Sequence, residues 1–143
     1  MNRLIWWMRI VGVFYLLLTA MNIWALFLGG MQLVADSLPA PMNTEPLAVR
    51  AFSDAWLVFV FEFGVLGAVL LYASRHPAES RMLVLAVIGA EIFRGVLADI
   101  VWITRGYDPA GYIAFIVIHL IIVLTGILFL RQARVPALRT ATA

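Results

Sequence analysis

Apolar residues come in four long runs along this chain, each separated from the next by a short polar stretch. The runs fall at about 4–28, 54–73, 82–103 and 110–130, close to the roughly 20 residues an α-helix needs to cross a hydrocarbon layer. The pattern predicts an all-α integral membrane four-helix bundle, with residues 1–143 as one domain, an outer loop at 29–53 and a flexible tail at 131–143. Trp6 and Trp7 at one end of the first run and Trp24 near the other fit interfacial aromatic belts. Met1-Asn2-Arg3 before an apolar run is also how a secretory signal opens. A signal core is only about 7–15 residues long, so a retained helix is expected, with cleavage near Ala35 as the alternative. Thr44 and Pro46 predict that the second helix begins ahead of its apolar run, Gly106 stops the third, and Asp108-Pro109 turns the chain into the fourth.

Composition sharpens this picture. The chain is 64% hydrophobic and 13% charged, where a soluble domain carries about 25% charged residues, and its mean hydropathy is +1.01. There is no cysteine, which excludes disulfides, thiolate metal sites and cysteine nucleophiles. All ten basic residues are arginine. Arg3, Arg9, Arg75, Arg81, Arg131, Arg134 and Arg139 fall on one side of the predicted spans, against Arg50 and Arg105 on the other. The excess marks the cytoplasmic side and predicts an N-in/C-in, multi-pass membrane protein. Its basic balance then suits lipid phosphates, and no nucleic-acid partner is expected.

The chemistry of interest lies at membrane depth, where an ionisable side chain at a helix centre costs about 2.5–3.5 kcal/mol on the insertion scale. Glu62 sits near the middle of the second run, Glu91 and Arg94 near the middle of the third, and His119 near the middle of the fourth. Asp99 and, in the first run, Asn22 lie further out. Three carboxylates against one permanent cation leave two negative charges over if His119 is neutral. Raised carboxyl pKa values, a protonated His119, a bound cation or access to outer water would each relieve them. On an α-helix Glu91 and Arg94 share a face, and Asp99 is turned roughly 80° from Glu91. Gly95, Ala98, Gly64 and Ala68 leave room for a partner helix or a ligand.

Several readings of this cluster stand side by side. Arg94 pairing with Glu62 and Glu91 would hold the helices in register. The surplus carboxylates would serve a proton or ion pathway, with Glu62, Glu91, Arg94, Asp99, His119 and Asn22 as its members. Glu62, Glu91 and His119 are also candidate metal ligands, though the Glu-x-x-His pairing of di-iron bundles is missing. His76 lies too far along the axis to share a haem iron with His119. The aromatic residues Phe59, Phe61, Phe63, Phe93, Trp102, Tyr112 and Phe115 would line a cavity for a hydrophobic small molecule, or simply face lipid.

The stretch Glu91-Ile-Phe-Arg-Gly95, continued through Asp99, Arg105-Gly-Tyr-Asp-Pro109 and Tyr112-Ile-Ala-Phe-Ile-Val-Ile-His119, resembles the BphX-like proteins, as does the opening Trp7-Met-Arg-Ile-Val-Gly-Val-Phe-Tyr-Leu-Leu-Leu18. The likeness covers most of the chain. It implies a small bacterial membrane protein, in a family some of whose members are encoded among genes for degrading biphenyl and related aromatics, and it names no reaction. Phe61-Glu-Phe-Gly-Val-Leu-Gly-Ala-Val-Leu-Leu71 more weakly resembles the DoxX-like four-helix membrane proteins, which would imply a hydrophobic redox partner. The resulting expectation is an accessory or hydrophobic-ligand-binding component beside a larger oxidative or transport system. A proton-coupled carrier and a metal- or haem-dependent oxidoreductase are the alternatives. Cofactor, oligomeric state and enzymatic activity are left open.

Overall fold

The computed structural model describes residues 2–140, and it is helical with no strand among them. Helix α1 spans Asn2–Phe27, a short α2 spans Met31–Ala35, and a 3-10 turn spans Met42–Thr44. Helix α3 spans Pro46–Ala73, α4 spans Arg81–Ala90 and α5 spans Ala98–Thr104, with a π-helical segment, Glu91–Leu97, joining the last two. Helix α6 spans Pro109–Thr140. The last residues of the expected flexible tail, 141–143, lie outside the described residues.

The boundaries follow from local chemistry. Pro46 occupies the first turn of α3, where its missing N–H and fixed φ suit a helix start. Thr44 belongs to the preceding turn, its hydroxyl donating to the Pro41 carbonyl at 2.9 Å. Gly106 ends α5 at φ 88°, a left-handed conformation that glycine adopts without strain. The Asp108 carboxylate accepts from the Ala110 and Gly111 N–H groups at 3.4 and 3.2 Å and so caps α6.

Three helical stretches, Arg3–Phe27, Pro46–Ala73 and Pro109–Ala133, are long and apolar enough to cross a membrane. In the third predicted run, 82–103, the α-helix is interrupted by the π segment, but the chain stays helical from Arg81 to Thr104. Large apolar side chains such as Ile10, Leu17, Met21, Val58, Val65 and Leu124 point away from the bundle. A water-soluble protein does not present so much continuous apolar surface, whereas a lipid-facing one does.

Helix α1 packs most extensively against α3, and α6 packs against α1, α4, the π segment and α5. Close packing of α1 on α3 rests on two glycines. A methyl group at Gly12 would fall 2.9 Å from the Gly67 carbonyl oxygen, and one at Gly67 would fall 2.8 Å from that of Gly12. Thr19 adds a hydrogen bond across the same interface, to the Val60 carbonyl at 3.2 Å. On the other side of α1, the Trp7 indole N–H is shared between the Ile122 carbonyl and the Thr125 hydroxyl of α6, each at 3.1 Å. Two apolar cores result. One, built around Trp7, Met8, Tyr15, Leu70, Val84 and Val87, fills the end near the chain termini. The other, of Val34, Ala35, Leu38, Val49 and Tyr107, closes the end that carries α2.

Gly67→Ala is expected to destabilise the protein in detergent by about 1–3 kcal/mol, because the helices must separate to admit the methyl group. Gly89→Ala, where an added methyl group meets nothing within 4 Å, is expected to leave the thermal midpoint unchanged. Equal midpoints for the two variants would contradict the close-approach reading.

Candidate functional site

Between the two cores, α3 comes close to the π segment and α5 at few backbone positions. The gap is a cavity of about 930 Å³. It reaches from His119 and Arg94 in the middle of the bundle to Asp36, Ser37 and Asp108 at the α2 end. Five of the six sequence-derived site candidates, Asn22, Glu62, Arg94, Asp99 and His119, line it. The sixth, Glu91, is 1% exposed and sits behind His119.

The π segment explains how Glu91 and Asp99 come to act on the same side chain. At the α-helical rotation Asp99 points about 80° away from Glu91. A π turn takes up an extra residue, roughly 100° of rotation, and so returns Asp99 to within about 20° of the Glu91 direction. Both carboxylates are buried and both face His119 of α6. Gly95, between them, lets the imidazole come close: a methyl group there would fall 2.5 Å from His119 Cγ.

The polar groups form a series across three helices. The Tyr15 hydroxyl of α1 donates to Glu91 Oε1, and His119 Nδ1 lies 2.6 Å from Glu91 Oε2. With Nδ1–H donating, both oxygens of the buried carboxylate are satisfied, as a charge in a low-dielectric interior requires. His119 Nε2 then faces Asp99 Oδ2 at 3.6 Å, beyond hydrogen-bonding reach. Asp99 is 4% exposed, and its Oδ2 has no hydrogen-bond partner.

Arg94 bridges the gap from the other side. Its Nη1 lies 2.9 Å from Glu62 Oε1 of α3. The N–H groups are not aligned on that carboxylate, so neither terminal nitrogen makes a hydrogen bond. The guanidinium also lies 4.3 Å from the centre of the Phe63 ring and 5.9 Å from that of Tyr15, a cation–π setting. Among the described residues Arg94 forms no ion pair with Glu91, which is taken up by Tyr15 and His119 instead. Nor do three His, Asp or Glu side chains converge among them as a metal-binding group. Of the candidate ligand set, Glu62 is drawn to Arg94 while Glu91 and His119 are drawn to each other.

The aromatic wall is partly the expected one. Phe59, Phe63, Phe93, Trp102, Tyr112 and Phe115 line the cavity and Phe61 does not. Phe52 and Trp56, also in the wall, were not among the expected residues. Trp56 is fixed by its N–H, which donates to Asn22 Oδ1 at 2.8 Å, while the Asn22 amide donates to the Leu18 carbonyl at 2.8 Å. Tyr15 was missed as well. Tyr15, Thr19 and Asn22 form a polar stripe at i, i+4 and i+7 on an otherwise apolar helix, a signal legible in the sequence.

The BphX-like family matches this chain over residues 1–135. The chain belongs to the BphX-like family. No curated protein and no solved structure matches it. In this BphX-like chain, the sequence stretches that carry the family likeness contain the whole polar series: Tyr15 in the opening stretch, Glu91 to Asp99, and His119.

Tyr15→Phe is expected to cost about 1–3 kcal/mol of stability, since it leaves a buried carboxylate oxygen without its donor. Gly95→Ala is expected to lower the thermal midpoint and to detach His119 from Glu91. The second effect is read as loss of the hydrogen-bonded imidazole proton in NMR spectra. A Gly95→Ala protein with that signal intact would contradict the packing described.

Proposed function

We propose that this protein is a four-helix transmembrane protein with both termini in the cytoplasm, and that it binds a small hydrophobic, aromatic molecule in the cavity between α3 and the π segment. The observation that carries the reading is the cavity itself. At about 930 Å³ it is of the size that takes a small organic molecule. Its wall is aromatic, and a few polar groups, Arg94, Asp99 and His119, converge at its inner end. That division, an apolar wall for affinity and a few fixed polar groups for orientation, is what ligand sites use.

The remaining span, third in chain order, is the helical stretch Arg81–Thr104, which carries Glu91, Arg94 and Asp99. Each of its charges turns to a partner or to the cavity, as ionisable groups at membrane depth do. The orientation rests on the arginine count, and it turns the α2 end and the mouth of the cavity away from the cytoplasm. The family context favours an accessory place beside a larger oxidative or transport system of the bacterial inner membrane. The binding site serves that place by holding a molecule rather than transforming it.

Two measurements test this. Ser37→Cys, at an exposed position by the cavity mouth, is expected to react with a membrane-impermeant maleimide in intact spheroplasts, and Glu79→Cys only after lysis. The reverse pattern would overturn the orientation. Benzophenone, an apolar aromatic ketone that inserts into nearby C–H bonds on irradiation, is expected to label Leu18, Leu26 and Ala98 in the cavity wall. Ala98→Phe should suppress that labelling by filling the space. Adducts spread evenly over the lipid-facing residues Ile10, Leu17 and Leu124 would contradict ligand binding in the cavity.

A further inference from the structure

We infer that the ligand the cavity selects is an organic ammonium ion: an amine that is protonated at neutral pH and carries an aromatic or alkyl body. This rests on the cavity being a ligand site and adds the charge and chemistry of its occupant.

At the inner end of the cavity two carboxylates, Glu62 and Asp99, face one permanent cation, Arg94, whose charge is set against Glu62. Asp99 is more than nine-tenths buried, lines the cavity, and has no partner for Oδ2. With the imidazole neutral and its Nδ1–H donating to Glu91, the Nε2 lone pair is turned toward Asp99 Oδ2 at 3.6 Å. In that tautomer two acceptors face each other, and Asp99 Oδ2 has no hydrogen-bond donor of the protein. The nearest permanent cation, Arg94, is drawn to Glu62 at 2.9 Å and to the face of Phe63 at 4.3 Å. Asp36 and Asp108 line the α2 end of the cavity, so its lining carries more carboxylates than permanent cations. An ammonium N–H answers both demands at once, since it donates to Asp99 and neutralises it in a low-dielectric site. A neutral hydroxyl meets only the first.

The wall supports the same class. Trp56 and Trp102 meet edge to face at 5.9 Å, and Trp102 and Tyr112 do so at 5.4 Å. Aromatic rings in a cavity wall attract cations through their electron-rich faces. An acidic, aromatic approach also raises the local concentration of cations before they bind.

The test compares three probes of one size on the full-length protein in detergent by titration calorimetry: dibenzylammonium, neutral dibenzyl ether and anionic diphenylacetate. Dibenzylammonium is expected to bind at least about tenfold more tightly than the ether. Asp99→Asn should remove that preference without weakening binding of the ether. In the unmutated protein, raising the pH past the amine's own pKa should abolish the preference too, which keeps the test independent of how well the variant folds. Equal affinity for amine and ether, or preference for diphenylacetate with Arg94 as its anchor, would overturn the inference. If none of the three bound while benzophenone still labelled the cavity, the ammonium assignment would fall and the binding reading would stand. Failure of the probes and of the labelling together would remove both.

Discussion

The structure turns on one buried carboxylate. Glu91 lies in the middle of the bundle, almost without exposure, and holds α1 through the Tyr15 hydroxyl and α6 through the His119 imidazole. An ionised group in that position is tolerable only if both oxygens are satisfied, and this requirement fixes the rest of the layer. The imidazole must lie flat against the π segment, which calls for Gly95. With Glu91 engaged, Arg94 is free to reach across to Glu62 on α3. Asp99, left without a hydrogen bond on Oδ2, faces the cavity. The site's chemistry is therefore a consequence of how the bundle pays for one charge.

The four apolar runs and the list of charged residues at depth could be read directly from the sequence, because both depend on hydropathy and on a helical rise per residue that varies little. The pairing of those charges could not. An α-helical rotation separates Asp99 from Glu91, and only the π turn at Glu91–Leu97 puts them around one imidazole. No residue pattern in that segment announces a π turn. Its sequence, EIFRGVL, differs from an ordinary helix chiefly by a glycine, and the reason for that glycine lies on another helix. Tyr15 opens the polar stripe it shares with Thr19 and Asn22 and was legible to that extent, but which carboxylate its hydroxyl meets was not. The long connection after α1 was expected as loop. It contains the short α2, whose Val34 and Ala35 join Val49 and Tyr107 in closing one end of the bundle.

These features separate two jobs along the axis. Near the termini the bundle is closely packed, with Gly12 against Gly67 and Trp7 anchored to α6. Toward α2 it opens between α3 and α5, and the polar layer forms the floor of the opening. A closely packed half thus adjoins an open half whose floor is the polar layer.

The most direct test of this account is the protonation of the His119 ring, read by 15N NMR in a His76→Gln background so that a single imidazole is observed. The account predicts a proton on Nδ1, protected from exchange and held in a strong hydrogen bond that Glu91→Gln alters. A ring protonated at Nε2 alone, or one exchanging like a free imidazole in water, would show that Glu91 does not hold His119, and the account would fail at its centre.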